Sequence, residues 1–306
     1  MMATLRNRWV TLVVAMLVLL SLPVQDALAW GAKGHRLTAL IAEQLLSPTA
    51  RLRLKAILGT GDLAAAALYL DIHKDELEKT VKGSRQWHFD DRPTCDADEP
   101  KVDYCPGGNC ASVQLKRQYG ILINPESSTA DKRFAIRVIA HLAGDIHQPL
   151  HASDHDDSGG NAIKVLGNWS GGKKANLHSV WDNDFVSKAF EGGDYKNKTE
   201  GQIATMLVEQ ITAAEREAWR KGRIASWLNE SYEKAVNVAY GRLPNFACSV
   251  EDFADKPVTL DDEYIAKAVL TVPDQLKRGG VRLAAILNRA LDPNPSEAGF
   301  VRAGSL

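Results

Sequence analysis

An all-α fold is predicted for this chain on three observations. Apolar residues recur at three- and four-residue intervals through successive stretches, and Ser, Thr, Asp and Pro stand where those stretches begin and end. A single short apolar run, Ile163 to Leu166, reads as a strand. With 306 residues, 45% of them apolar, the chain can bury a sizeable core; its formal net charge of −1 excludes a strongly basic nucleic-acid coat. No fixed-period repeat, low-complexity tract or Pro/Gly-rich linker divides residues 30–306, which read as one domain.

Residues 1–29 read as a secretory signal peptide. Arg6 and Arg8 precede the apolar run Trp9 to Leu22, and Ala27-Leu28-Ala29 offers a small-residue cleavage site. The run falls short of the roughly 20 residues of a membrane span, and no second apolar segment follows it, so no membrane association is expected. Cleavage would leave Trp30 as the first residue of a secreted or periplasmic protein. Export into an oxidising compartment makes the four cysteines candidates for disulfides. Cys105 and Cys110 enclose the turn-forming Pro106-Gly-Gly-Asn109, which leaves Cys95 to pair with Cys248. Sequons at Asn168, Asn197 and Asn229 carry glycans only in a source that glycosylates.

The elements follow in order. Leu37, Leu40, Ile41 and Leu45 mark a first helix closed by Ser47-Pro48, where Ser47 caps the next helix and Pro48 sits in its first turn. Asp62 caps a third, expected from Leu63 to about Lys79, and on pattern alone Asp71 within it faces water. Residues 84–94 lack a helical period; there His88, between Trp87 and Phe89, reads as a packed residue and Phe89 as a core aromatic. Helices are expected over 111–123 and 130–147, the second capped by Ser127-Ser128-Thr129. A long loop with one weak hairpin should fill 152–175. Further helices are expected over 177–190, 200–220, 223–240, 259–272 and 275–291.

The stretch from His141 to His151 reads His-Leu-Ala-Gly-Asp-Ile-His-Gln-Pro-Leu-His. Positions four apart on a helix share a face, so His141 and Asp145 can point at one ion. Pro149 ends that helix near Gln148, which lets His151 swing back toward the same region. A second stretch repeats the device with His178 and Asp182. Imidazole nitrogen and carboxylate oxygen without thiolate suit zinc in an open, water-bearing site that does chemistry.

These residues resemble one family, the zinc-dependent single-strand nucleases of the S-one/P-one type. The likeness rests on Trp-Gly-x-x-Gly-His at Trp30 to His35, the Asp71 region, Trp87-His88-Phe89, His141-x-x-x-Asp145 through Gln-Pro-Leu-His151, Gly159-Gly-Asn161 and Asn176-Leu-His-x-x-Trp-Asp182. It implies a single all-α domain of the zinc-dependent phospholipase C and S-one/P-one nuclease type, with a small loop or hairpin insertion. It implies three zinc ions: one on Asp71, His88, His141 and Asp145; one on His35, the bridging Asp145 and the amino nitrogen and carbonyl oxygen of Trp30; one on His151, His178 and Asp182. His73, His147 and His155 match no ligand position. The implied activity is endonucleolytic hydrolysis of single-stranded DNA and RNA to 5′-phosphate products, with 3′-nucleotidase activity left open. Asp71 would orient the attacking water, Phe89 would stack on a base, Asp91 would hydrogen-bond it, and Asn161 would border the substrate. Nucleic acid and nucleotides are the expected partners of a monomer with no stable protein partner.

Two departures from the family pattern stand out. Lys74 replaces an arginine, keeping charge but losing the planar two-pronged donor. The loop from His151 to Asn161 is longer and more acidic, with Asp154, Asp156 and Asp157. A zinc-dependent phospholipase C is the competing enzyme, disfavoured by the short Trp30 to His35 spacing, by aspartate at Asp182 and by Asn176-Leu-His. A zinc-binding protein without turnover is the competing non-enzyme, disfavoured by the complete ligand set with Asp71 and Lys74.

Overall fold

The computed structural model describes residues 30–95, 104–167, 169, 175–248 and 256–293; the proposed signal peptide and Asn168 lie outside them. Helix takes 66% of the structure and strand 4%, as the sequence predicts. The helices begin where cap chemistry allows. In α1 (Ala32–Gln44) the buried side is Leu37, Ile41 and their neighbours. Ser47 accepts from Ala50 N at 3.1 Å to start α2 (Pro48–Leu58), with Pro48 in the first turn where its missing N–H costs nothing. The carboxylate of Asp62 accepts from Ala65 N at 2.7 Å to start α3 (Leu63–Ala66).

The expected single helix over 63–79 is in fact three short ones. After α3 the chain turns at Ala67 and Leu68, resumes as α4 (Tyr69–Ile72), breaks at His73 and resumes as α5 (Lys74–Thr80). Alanine and leucine favour helix through the first break, at Ala67 and Leu68, so local propensity yields there to tertiary contacts, whereas the second break falls among the weaker helix formers Asp71, Ile72 and His73. Residues Ser84–His88 form a 3₁₀ turn. Then come α6 (Ala111–Ile123) and α7 (Thr129–Asp145), a packed pair. Ser128 opens α7 with a reciprocal capping box to Asp131. Helix α7 stops at Asp145, and Gln148 is extended at φ −85°, ψ 120° ahead of Pro149, so the predicted break falls where proline demands it.

The hairpin is present as β1 (Lys164–Leu166) antiparallel to β2 (Ala175–Asn176), and β3 (Val258–Thr259) joins β1 in parallel. Asn176 caps α8 (Leu177–Ser179), which widens into a π-helical turn over Val180–Asp184 before α9 (Phe185–Ala189). The expected helix over 200–220 divides into α10 (Glu200–Glu209) and α11 (Ala213–Trp219), because Thr212 makes its own capping box with Glu215. Helix α12 (Ile224–Lys234) ends in a second π turn.

The last correction concerns Pro273. The two helices expected on either side of it are one, α13 (Asp262–Leu291), with Pro273 inside. An interior proline removes one intrahelical hydrogen bond and costs about 3 kcal/mol. Burial of Tyr264, Ile265, Ala268, Val272, Leu276, Leu283 and Leu287 against α1, α2, α7 and α9 outweighs that cost. Both predicted disulfides, Cys95–Cys248 and Cys105–Cys110, are formed.

Candidate metal centre

Helix α7 presents His141 and Asp145 one turn apart, both with no solvent exposure. Asp145 lies at the middle of a cluster. Its Oδ2 is 3.1 Å from His88 Nδ1 and 3.2 Å from His141 Nε2; its Oδ1 is 3.3 Å from His35 Nε2. Asp71 Oδ1 reaches His141 Nε2 at 3.6 Å. His35 arrives from α1 with its ring stacked on His141, centroids 3.9 Å apart, over Gly144, where a Cβ would stand 2.8 Å from His35 Nδ1. Beside this group stand His151, His178 and Asp182: His178 Nε2 is 3.1 Å from His151 Nε2 and 3.3 Å from Asp182 Oδ2.

The outward nitrogens fix which ring nitrogens are left to face the cluster. A carbonyl oxygen only accepts, so His141 Nδ1–H donates to Ala67 at 2.6 Å, His151 Nδ1–H to His88 at 2.9 Å and His178 Nδ1–H to Gly159 at 2.6 Å. Burial holds His178 down to about 4 and His151 well below the usual histidine range, so both rings are neutral. Their Nε2 lone pairs therefore face one another across 3.1 Å with no proton between them. Ligand atoms placed tetrahedrally at ~2.0–2.1 Å from zinc stand about 3.3 Å apart, and the separations in this cluster match that spacing. Asp145 Oδ1, Asp182 Oδ2 and both ring nitrogens of His35 are buried without hydrogen-bond partners. Orphaned acceptors of this kind are costly unless a cation meets them, so the residues fit a metal.

Three groups could each hold an ion: His35, Asp71 and His141; His88, His141 and Asp145; His151, His178 and Asp182. The first two share His141, so this geometry divides the ligands of the double group differently from the sets implied by resemblance.

The S1/P1 Nuclease family model matches residues 30–292 of this chain. The chain belongs to that family. Among relatives, Endonuclease 2 of Arabidopsis thaliana is 31% identical over 85% of this chain and 90% of its own. Endonuclease 4 of the same plant is 28% identical over 93% and 97%, and Nuclease S1 of Aspergillus oryzae 29% identical over 85% and 91%. Within this S1/P1 nuclease, Trp30 is fully buried, and the amide of the adjoining Gly31 donates to the Asp182 carbonyl at 2.8 Å, so residue 30 lies alongside the cluster.

Of the expected substrate residues, Phe89 borders the second group. Phe89 is half-buried, its ring centroid 4.8 Å from that of His151 and 6.0 Å from that of His178. Asp91 meets solvent, yet crowding by surrounding protein, with Asp154 and Asp90 beside it, pushes its carboxyl up to about 6. Asn161 donates to Ser158 O at 2.8 Å, leaving its side-chain oxygen toward other partners. Lys74 opens α5 directly after the break that follows Asp71. The three histidines set aside are elsewhere engaged: His73 with Glu76, His147 with Ala143 O and Arg282, His155 with Cys95 Sγ.

Sequence reasoning passed over several supports of the nuclease site. Gly159 both accepts from His178 and requires glycine, since at φ +62° a Cβ would meet Leu150 O at 2.7 Å. Its place in Gly159-Gly160-Asn161 was the available signal. Asp90 is buried, accepts from Ser112 N at 2.8 Å and donates its own amide to His151 O at 2.8 Å, which locks the His88 segment between α6 and the His151 turn. No pattern in the sequence marks it.

Proposed function

We propose that this S1/P1 nuclease is an exported, zinc-dependent endonuclease that hydrolyses single-stranded DNA and RNA to 5′-phosphate products, with three zinc ions on Trp30, His35, Asp71, His88, His141, Asp145, His151, His178 and Asp182. The observation that carries the reading is the pair of opposed neutral imidazoles, His151 and His178, beside the orphaned Asp182 Oδ2. Leaving these acceptors buried and unpaired costs free energy that a bound cation would recover. Zinc bound there supplies Lewis acidity that lowers the pKa of water and neutralises charge developing on phosphate oxygens.

The chain's own residues do the rest. Phe89 offers a ring face beside His151 on which an unpaired base stacks, and stacking of this kind needs the base out of a duplex. Single strands are favoured for that reason. Asp71, with a tenth of its side chain exposed and Oδ1 3.6 Å from His141 Nε2, would orient the attacking water. Lys74 follows on the next turn as a point charge for a phosphoryl oxygen. Two disulfides support an exported protein.

Zinc-loaded protein beginning at Trp30, assayed on single-stranded DNA, RNA, duplex DNA and lecithin, tests the reading. Preferential cleavage of the single strands supports it. Lecithin hydrolysis without nucleic-acid cleavage would make the protein a phospholipase C, and zinc binding with no turnover a binding protein.

Two smaller expectations follow from the geometry. Lys74→Ala should lower turnover about tenfold to a hundredfold at unchanged zinc content, and Lys74→Arg should hold or raise it, because a guanidinium grips two phosphoryl oxygens. Loss of zinc from the alanine variant would place Lys74 in the scaffold instead. Zinc uptake should also release protons. In the metal-free protein, burial opposes charge on His141, but Asp145 and Asp71 raise it to about 9, and burial holds Asp182 well above the carboxylate range. His141 is protonated near pH 7 and must lose that proton to bind, so apparent affinity should rise with pH up to about 9. Titration calorimetry in two buffers of different ionisation enthalpy reads the proton count, and identical heats in the two would contradict the scheme.

A further inference from the structure

Gln148 belongs to no expected ligand set, yet it is fully buried at the junction of the two metal-bearing stretches. Its backbone sits at the break forced by Pro149, extended, with its amide still tied to Asp145 O at 2.9 Å. From there the side chain reaches two ways. Its Oε1 accepts from Leu150 N at 2.6 Å, and its Nε2 donates to Asp182 Oδ1 at 2.7 Å. The orientation is forced, because turning the amide over would set N–H against N–H and oxygen against carboxylate.

We propose that Gln148 is a positioning residue for the His151, His178 and Asp182 group: it ties the turn carrying His151 to Asp182 and occupies Asp182 Oδ1, so that Oδ2 alone is offered to an ion. This inference rests on the reading of those three residues as a zinc site. Leu150 adjoins His151, so one side chain sets the separation between ligands that come from distant stretches of sequence. Asp182 Oδ2, unpartnered and 3.3 Å from His178 Nε2, is the oxygen left to ligate. A carboxylate held to one oxygen, with two imidazoles, makes three protein ligands and leaves room at the metal for a substrate oxygen, the condition that separates catalytic from closed sites. Among side chains of this length only glutamine accepts with one end and donates with the other. Glutamate would accept from Leu150 N but oppose Asp182, and methionine would fill the volume with neither bond.

The test compares wild type, Gln148→Glu and Gln148→Met. Zinc content is measured by elemental analysis, zinc release against chelators of graded affinity, and thermal unfolding before and after metal removal. Both variants should bind one of three zinc ions about 10- to 100-fold more weakly, the range for lost outer-shell support of a metal ligand. The other two ions should stay at wild-type affinity, and activity should return at saturating zinc. Three ions held as tightly as in wild type would overturn the proposal. So would parallel weakening of all three, or failure of both variants to fold with zinc present, since either assigns Gln148 to the scaffold. His178→Ala in wild-type background is the control for the underlying reading: if it leaves zinc content unchanged, the site itself is absent, which is a different failure.

Discussion

Protein that begins at Trp30 should cleave single-stranded DNA at least about a hundredfold faster than protein carrying extra residues before it, and should hold one more zinc ion. Under the proposed function the amine of Trp30 is a ligand. In an extended chain that nitrogen is an amide, whose lone pair is delocalised into the peptide bond, and it cannot donate as a free amine does. Trp30 is fully buried, and Gly31 N is anchored on the Asp182 carbonyl, which holds residue 30 beside the metal groups. The extended form should still fold and keep the ions held by side chains alone. Zinc analysis and cleavage assays on the two forms side by side decide the matter. Equal zinc and equal activity would remove Trp30 from the ligand set and reduce the proposed centre to two metals.

Asp145→Asn should have the largest effect of any single substitution, a fall in turnover of at least about a thousandfold, or ~4 kcal/mol in the barrier. Asp145 is the residue whose two oxygens face different histidines, His35 on one side and His88 and His141 on the other. Burial opposes its charge, but His141 beside it and hydrogen bonds from the surrounding histidines hold its carboxyl well below the usual range. An asparagine keeps the volume while removing the charge and turning one acceptor into a donor pointed at ligand nitrogens. The double metal group should then empty while the His151, His178 and Asp182 group keeps its ion. Asp182→Asn should do the reverse, sparing the double group. Elemental analysis separates the two patterns, and an Asp145→Asn protein that retained full zinc would sink the idea that this carboxylate bridges.

Part of this protein was settled by sequence alone, because the governing physics is local. His141 with Asp145 and His178 with Asp182 share a helix face by the geometry of one turn, whatever surrounds them. The caps at Ser47, Asp62 and Ser128 and the break before Pro149 likewise follow from hydrogen-bonding groups a few residues apart. The tertiary structure alone decided the remainder. It broke the alanine-rich stretch after α3, and the Ala67 carbonyl at that break accepts from His141. Burial along α13 carried a helix through Pro273, against local preference. His35, Asp71 and His88 reach the cluster from three separate elements, and Gln148 finds Asp182 across a gap of 34 residues. Contacts of that range depend on how elements pack against one another, and packing energy summed over a whole helix face can exceed the propensity of any single residue within it.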